Sequence, residues 1–148
     1  MIEYSTGNLQ WLRAKHNRTG EYVRVELGDA TSHIWQKPIE VVACETYLGQ
    51  PYTTLPTREQ LTKNIRYVDS LHRKFLRNIG KQLAAGTRLC IAVPAWNNNN
   101  RFLHLPFLDH LQELGYNKVK FVHVSNQELV YHREKQVVAR ELVVLEKD

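Results

Sequence analysis

Glu45 is the residue best placed to do chemistry. It follows the apolar run VVAC at positions 41–44, where a polar group would emerge beyond a strand end and meet a ligand. The stretch ETYLGQPYTTLP brings Glu45, Thr46, Tyr47, Gly49, Gln50 and Tyr52 close together in the chain. Its aromatics suit stacking on a nucleobase, and its backbone carbonyls suit accepting from an exocyclic amine. The same stretch also reads as a packed loop with an ordinary turn. Asp29, in Gly28-Asp29-Ala30, follows another strand-like run and could accept an amine hydrogen bond, although Gly-Asp alone is a common turn pair. Glu3 could hold ribose hydroxyls from a short first strand, or simply be solvated. Trp96, in Pro94-Ala95-Trp96, either lines the same region or covers the sheet end. Arg133 and Lys135, near His132, could touch phosphate or form a solvated hairpin tip.

Other chemistries lack their residues. There is no GxGxxG or GxxxxGK(S/T) glycine loop, no CxxC, no HExxH and no GxSxG elbow. The seven histidines form no tight metal-ligand cluster, so no metal is expected. Cys44 and Cys90 lie in apolar runs and read as reduced core residues.

The elements that must position these groups follow from periodicity. Met1–Tyr4 reads as a short strand and Asn8–His16 as a helix. Tyr22–Leu27 alternates like a strand, and Ile39–Cys44 reads as a strand covered on both faces. Thr57 with Gln60 offers a capping box for a long helix running to about Ala85, closed by Gly86. Its stripe is Leu61, Ile65, Val68, Leu71 or His72, Phe75, Ile79 and Leu83. Its charges, among them Lys63, Arg66, Arg73, Lys74, Arg77 and Lys81, read as an RNA-facing stripe or as ordinary solubility. Leu89–Val93 is a strand, and Pro94–Arg101 a loop with four asparagines. Leu105–Leu114 reads as a helix ended by Gly115, Val119–Val124 as a strand and Val137–Leu145 as the last strand. The link between those last two is too short for a right-handed crossover, so they should be antiparallel.

At 148 residues, 43% hydrophobic and 24% charged, the chain is expected to form a single domain with a real core. The formal charge of +5 mildly favours a polyanionic partner. No apolar run approaches the ~18 residues of a membrane span, and the start is no signal peptide, so a cytoplasmic protein is expected.

These residues, in this order, resemble the C-terminal part of an S-adenosylmethionine-dependent methyltransferase domain. The likeness is to the RNA and DNA amino-methylases, such as the tRNA guanosine N2-methyltransferases. Ile2-Glu3-Tyr4 is similar to the family's second strand with its ribose-binding acid, and Gly28-Asp29-Ala30 to the loop that holds the adenine amine. Cys44 through Gly49 stands where the family has Asp/Asn-Pro-Pro-aromatic, with Glu45 for the acid or amide and Leu48 at the aromatic position. Leu89–Trp96 resembles the fifth strand and its exit, and Lys118–Val124 with Val137–Leu145 the terminal antiparallel pair.

The resemblance implies an α/β, three-layer Rossmann-like methyltransferase fold, mostly parallel with an antiparallel terminal strand. The first strand and Gly-rich loop would fall before Met1, so the domain is expected to be N-terminally incomplete, with a partner segment or homo-oligomer completing it. It further implies S-adenosyl-L-methionine as cofactor, no metal, and methyl transfer to an exocyclic base amine, in RNA, with tRNA a candidate, rather than DNA. Glu45, Thr46 and Tyr47 would be catalytic. Glu3, Asp29 and Ala30 would bind cofactor, and Tyr52, Trp96 and Arg133 substrate. The alternative is a non-catalytic or truncated domain of this fold that binds RNA or a protein.

Overall fold

A computed structural model describes residues 2–16, 25–36, 38–98, 101–134 and 136–148. The first element is helix α1 (Ile2–His16), followed by strand β1 (Ile39–Glu45), helix α2 (Arg58–Gly80) and strand β2 (Leu83–Asn98). Strand β3 (Arg101–Leu103) follows, then two short 3₁₀ turns, Pro106–His110 and Gln112–Leu114. Strands β4 (Tyr116–Lys118), β5 (Val130–Tyr131) and β6 (Val138–Lys147) complete the order.

The sheet runs β1-β2-β6-β4, with β3 beside β2 and β5 beside β6. β1 is parallel to β2, while β6 is antiparallel to β2, β4 and β5. β1, β2, β4 and β5 therefore share one direction, and β3 and β6 oppose it. This is the expected Rossmann-like architecture, mostly parallel in direction with a reversed terminal strand, here inserted between β2 and β4. The antiparallel last strand follows the short link that sequence had indicated.

α2 carries the core. Thr57 caps it as the sequence predicts. The Thr57 side chain accepts from the Gln60 amide at 3.2 Å, and the Gln60 side chain accepts from the Thr57 amide at 2.9 Å. Val68, Leu76 and Ile79 form one cluster with Leu89, Ile91 and Val93 of β2, Val143 and Leu145 of β6, and Phe107, Leu111 and Leu114 of the 3₁₀ turns. On the same face of β6, Glu141 is buried but satisfied, by Nδ1 of His104 and by Lys118 Nζ at 3.4 Å.

Several expectations change. Ile2–Tyr4 begin a helix instead of forming a strand, and Met1 lies outside the described residues. Glu3 in the first turn and Arg13, Lys15 and His16 in the last complement the helix dipole, which favours the helix without any burial. Of the expected strand Tyr22–Leu27, residues 22–24 lie outside the described residues and 25–27 form no strand. α2 ends at Gly80, five residues early, because the Gln82 amide turns back to Ile79 O at 2.8 Å and β2 already pairs from Leu83. Gly86, at φ +80°, lies inside β2, where its pairing with β1 slips.

The predicted helix Leu105–Leu114 is broken into 3₁₀ turns, and Gly115 at φ +78° stops the second. The strand predicted at Val119–Val124 lies earlier, at Tyr116–Lys118, and Phe121, Val122 and Val124 stay exposed and gain no burial. The predicted loop after Val93 is strand through Asn98, which pairs with Arg101 of β3. β1 is an edge strand with mostly exposed residues, so the expected covering of both its faces is not provided among the described residues. Both cysteines are exposed, Cys44 on this edge strand and Cys90 on the face of β2 opposite the buried Leu89 and Ile91, contrary to the core reading.

Candidate functional site

β1 is held to β2 in register from Val41↔Arg88 to Glu45↔Ala92. That register delivers Glu45 and Thr46 to the end of the sheet. The Thr46 amide extends the ladder by one bond, to Ala92 O at 3.0 Å. Beyond it the chain turns over α2. Gly49 adopts φ +88°, and a Cβ there would lie 2.9 Å from Asn64 Nδ2, so both backbone conformation and close approach call for glycine.

The 28–35 loop is fastened to the C-terminal end of α2. Asn78 Nδ2 donates to Ala30 O at 3.0 Å and to His33 O at 2.8 Å. Gln82 Nε2 donates to His33 O at 3.0 Å, and the Trp35 amide donates to Gln82 Oε1 at 2.9 Å. One helix thus supports both segments on which sequence had placed site residues.

Between those segments lies an open cavity of about 390 Å³. Its lining includes Asp29, Ala30, Cys44, Glu45, Thr46 and Tyr47, with Leu71, His72 and Phe75 supplied by α2. Five of the nine predicted site residues are brought together here: Asp29, Ala30, Glu45, Thr46 and Tyr47.

Their individual states differ. Asp29 Oδ1 accepts from the Thr31 amide at 2.9 Å and the Thr31 hydroxyl at 2.8 Å, an Asx turn. Those two bonds hold its carboxyl below the ordinary value. Glu45 Oε2 accepts from Arg140 Nε of β6 at 2.5 Å. Tyr47 is half exposed, its ring edge-on to Tyr67 at 6.3 Å. Partial desolvation, with a smaller push from Cys90, raises the ionisation of the otherwise exposed Cys44 thiol and disfavours its thiolate.

The other four lie elsewhere. Glu3 is in α1, which has no buried residue, so the expected ribose acid is not at the cavity. Tyr52 packs against the core. Trp96 is fully buried between Leu103 of β3 and Val138 of β6, so no base can stack on it without opening the core. Arg133 lies on the exposed turn before β6, its Nε donating to the Tyr131 hydroxyl at 3.5 Å. Lys135 lies outside the described residues.

His72 is the group that sequence reasoning did not place in the site. It is 2% exposed and stacked on Phe107 with ring centroids 5.6 Å apart. Its Nε2 meets Thr46 Oγ1 at 2.6 Å and its Nδ1 meets Val68 O at 2.7 Å. Burial pulls its ionisation below the ordinary value, partly countered by the Val68 carbonyl and Asp69. The one available signal was a histidine inside an apolar helical stripe.

Among the described residues no cluster of His, Cys, Asp and Glu could hold a metal ion, and no helix is long and apolar enough to cross a membrane.

No protein-family model matches the chain, and no curated protein matches it. Among solved structures, three of one Thermus thermophilus protein, provisionally named a DNA modification methylase, are similar to it. The complex of that protein with S-adenosyl-L-methionine is 20% identical, with a TM-score of 0.47 over 82% of this chain and 54% of that one. A second structure gives 18%, 0.46, 82% and 52%, and the selenomethionine derivative 15%, 0.42, 74% and 45%. The chain spans about half the length of that protein. With every TM-score below 0.5, this likeness carries no argument about function.

Proposed function

We propose that the chain is a methyltransferase domain that transfers the methyl group of S-adenosylmethionine to an exocyclic amine of a nucleic-acid base, in RNA such as tRNA rather than DNA. The observation that carries this reading is the cavity at the end of β1, where Asp29 and Ala30 meet Glu45, Thr46 and Tyr47. Its position, outside the carboxyl end of a parallel strand, is where open α/β sheets bind ligands.

The donor set fits the base end of the cofactor. Asp29 and the 29–31 main chain would face the adenine amine, against apolar walls from Ala30, Leu71 and Phe75. No acid at the cavity replaces Glu3 for the ribose among the described lining residues. When bound, S-adenosylmethionine supplies an electrophilic sulfonium methyl group. The protein's part is alignment. Glu45 and the Thr46 carbonyl would orient the amine lone pair, and Tyr47 would offer its half-exposed ring to the base. Arg133 remains a candidate phosphate contact on the exposed turn. A cytoplasmic location and a single domain accord with this role.

Calorimetry with S-adenosylmethionine, on the full chain and on Asp29→Ala, tests the reading together with label transfer to tRNA and DNA. Binding that weakens at least about tenfold in the variant, with label entering RNA, is expected. Absent binding, or equal binding by the variant, would overturn it.

One observation favours the second reading, a non-catalytic domain of this fold that binds RNA or a protein. The Glu45 carboxylate is already engaged by Arg140. RNA retention unaffected by cofactor, with no label transferred, would establish it. Among the described residues nothing pairs with the outer edge of β1, which leaves room for a partner segment or a second copy.

A further inference from the structure

His72 has no part in the roles above, yet its bonds reach the residue whose carbonyl those roles use. The hydrogens around it can be counted. A carbonyl only accepts, so the 2.7 Å contact with Val68 O requires a hydrogen on Nδ1. In a neutral ring Nε2 is then bare and must accept, so the Thr46 hydroxyl donates to it across 2.6 Å. Thr46 has one hydroxyl hydrogen. Its 2.8 Å approach to Ala92 O is then a contact without a hydrogen bond. A charged ring reverses the arrangement. Nε2–H donates to Thr46 Oγ1, and the hydroxyl hydrogen turns to Ala92 O.

We propose that His72 is a positioning residue for the Glu45–Tyr47 segment, its proton deciding whether the Thr46 hydroxyl hydrogen serves α2 alone or, with the ring donating instead, binds β2 as well. Burial keeps the ring neutral under ordinary conditions, so the resting state ties the segment to α2. The stacked Phe107 ring fixes the imidazole plane, and Asp69 fixes Phe107 by accepting its amide at 2.6 Å. The ionisable groups around the ring are few and assigned. On α2, Asp69 is paired with Arg73 at 2.7 Å. On and after β1 stand Cys44, Glu45 with its Arg140 partner, and Tyr47. The 28–31 turn contributes Asp29, already held by Thr31. The 3₁₀ turn meets the imidazole with the Phe107 ring. The consequence for amine orientation rests on the methyltransferase reading; the proton arrangement does not.

Ring-nitrogen NMR on the full chain, followed from about pH 8 to about pH 5, tests the arrangement directly. The expected result is a neutral ring carrying its hydrogen on Nδ1, with the Thr46 amide signal moving at the same midpoint as the ring, below the ordinary ~6.5. A neutral ring with its hydrogen on Nε2, or a Thr46 amide indifferent to His72, would overturn the proposal. Thr46→Val keeps the side-chain shape and should lower the midpoint, because the charged ring loses the stronger bond. An unchanged midpoint in a folded variant would also overturn it.

The functional arm uses S-adenosylmethionine affinity against pH. It should shift by about fivefold, the worth of one neutral hydrogen bond, as His72 becomes charged and the Thr46 hydroxyl hydrogen moves to Ala92 O. His72→Gln, which can still bond Thr46 but does not titrate, should show no such dependence. The same pH profile in the native chain and in the His72→Gln variant would overturn the positioning role. If the cofactor does not bind at all, the methyltransferase reading fails, and the ring NMR alone decides this one.

Discussion

The two faces of the sheet are made from alternate residues of the same strands, yet they do different work. Toward α2, Leu89, Ile91 and Val93 of β2 and Val143 and Leu145 of β6 are wholly buried. On the other face, Arg88 and Cys90 are exposed, Val41 of β1 is 65% exposed and Leu142 of β6 is 43% exposed. The buried face fixes register, because a slip of one residue would exchange every apolar side chain for one from the open face. That fixed register places Glu45 at the end of β1 opposite Ala92. Glu45 and Arg140 meet on that other face, with Arg140 opposite the buried Pro94. Precision at the site is therefore supplied from the side of the sheet that the Glu45 carboxylate does not touch.

The largest test of this contrast is truncation on each face. Leu89→Ala or Ile91→Ala should cost about 2–5 kcal/mol in denaturant unfolding, the cost of an apolar cavity in a packed core. Cys90→Ala and Leu142→Ala should stay within about 0.5 kcal/mol, as substitutions on an exposed face do. Equal costs on the two faces would mean that the open face is covered in solution.

The buried face was also the legible one. The Thr57 capping box and the apolar stripe of α2 were readable because capping and burial leave local patterns, and Ile39–Cys44 was readable as a β-branched apolar run although the strand is mostly exposed. Of the site, Asp29, Ala30 and Glu45–Tyr47 were readable as polar groups just past strand ends. Glu3 was misplaced because Met1–Tyr4 is too short to show a period, and the dipole-matched charges farther along the helix decided its conformation. Val119–Val124 is rich in strand-forming residues, but Phe121, Val122 and Val124 stay exposed. Trp96 looked like a ligand-facing aromatic because Val93 through Trp96 are all buried where both faces are covered, which alternation cannot show. His72 bonds a residue 26 positions away, a tertiary fact with no local trace.

Gly49→Ala comes next in size. It sits on the site loop rather than in the core, so its cost should be conformational, about 1–3 kcal/mol for an alanine held at positive φ. The neighbouring Asn64 side chain can yield, so equilibrium unfolding that shows a smaller cost would mean the loop, unlike the buried face, relaxes around the change. Thr57→Ala removes the α2 cap at the opposite end of the helix from the 28–35 clamp. It should cost about 1 kcal/mol by thermal unfolding while leaving ligand binding at the cavity unchanged.

The pH dependence of stability separates the faces in another way. His72 is buried beneath the site, and its folded ionisation lies below the ordinary ~6.5 of the unfolded chain. Between those two values the unfolded chain holds a proton that the folded chain lacks. Stability from this group is therefore complete above ~6.5 and falls as pH drops toward the folded value, with a slope of at most about 1.4 kcal/mol per pH unit. His72→Gln should remove that slope from unfolding curves measured across the window. A slope that persists would assign it to another histidine.

Arg140→Ala should have only a small effect on stability and is the sharpest test of the open face. Both members of the pair are well exposed, Arg140 at 35% and Glu45 at 51% of the side chain. An ion pair in that setting contributes about 1 kcal/mol or less, and salt screens it. Unfolding of Arg140→Ala should thus stay within about 1 kcal/mol of the native chain, and the difference should shrink in high salt. Its effect on the cavity should be larger than its effect on stability, because Glu45 loses the group that occupies its carboxylate. If Glu45 orients an amine, the variant should change methyl transfer while Leu142→Ala, on the same face, does not. A destabilisation of several kcal/mol would show instead that the Arg140 stem covers apolar surface, and that the open face shares in holding the sheet together.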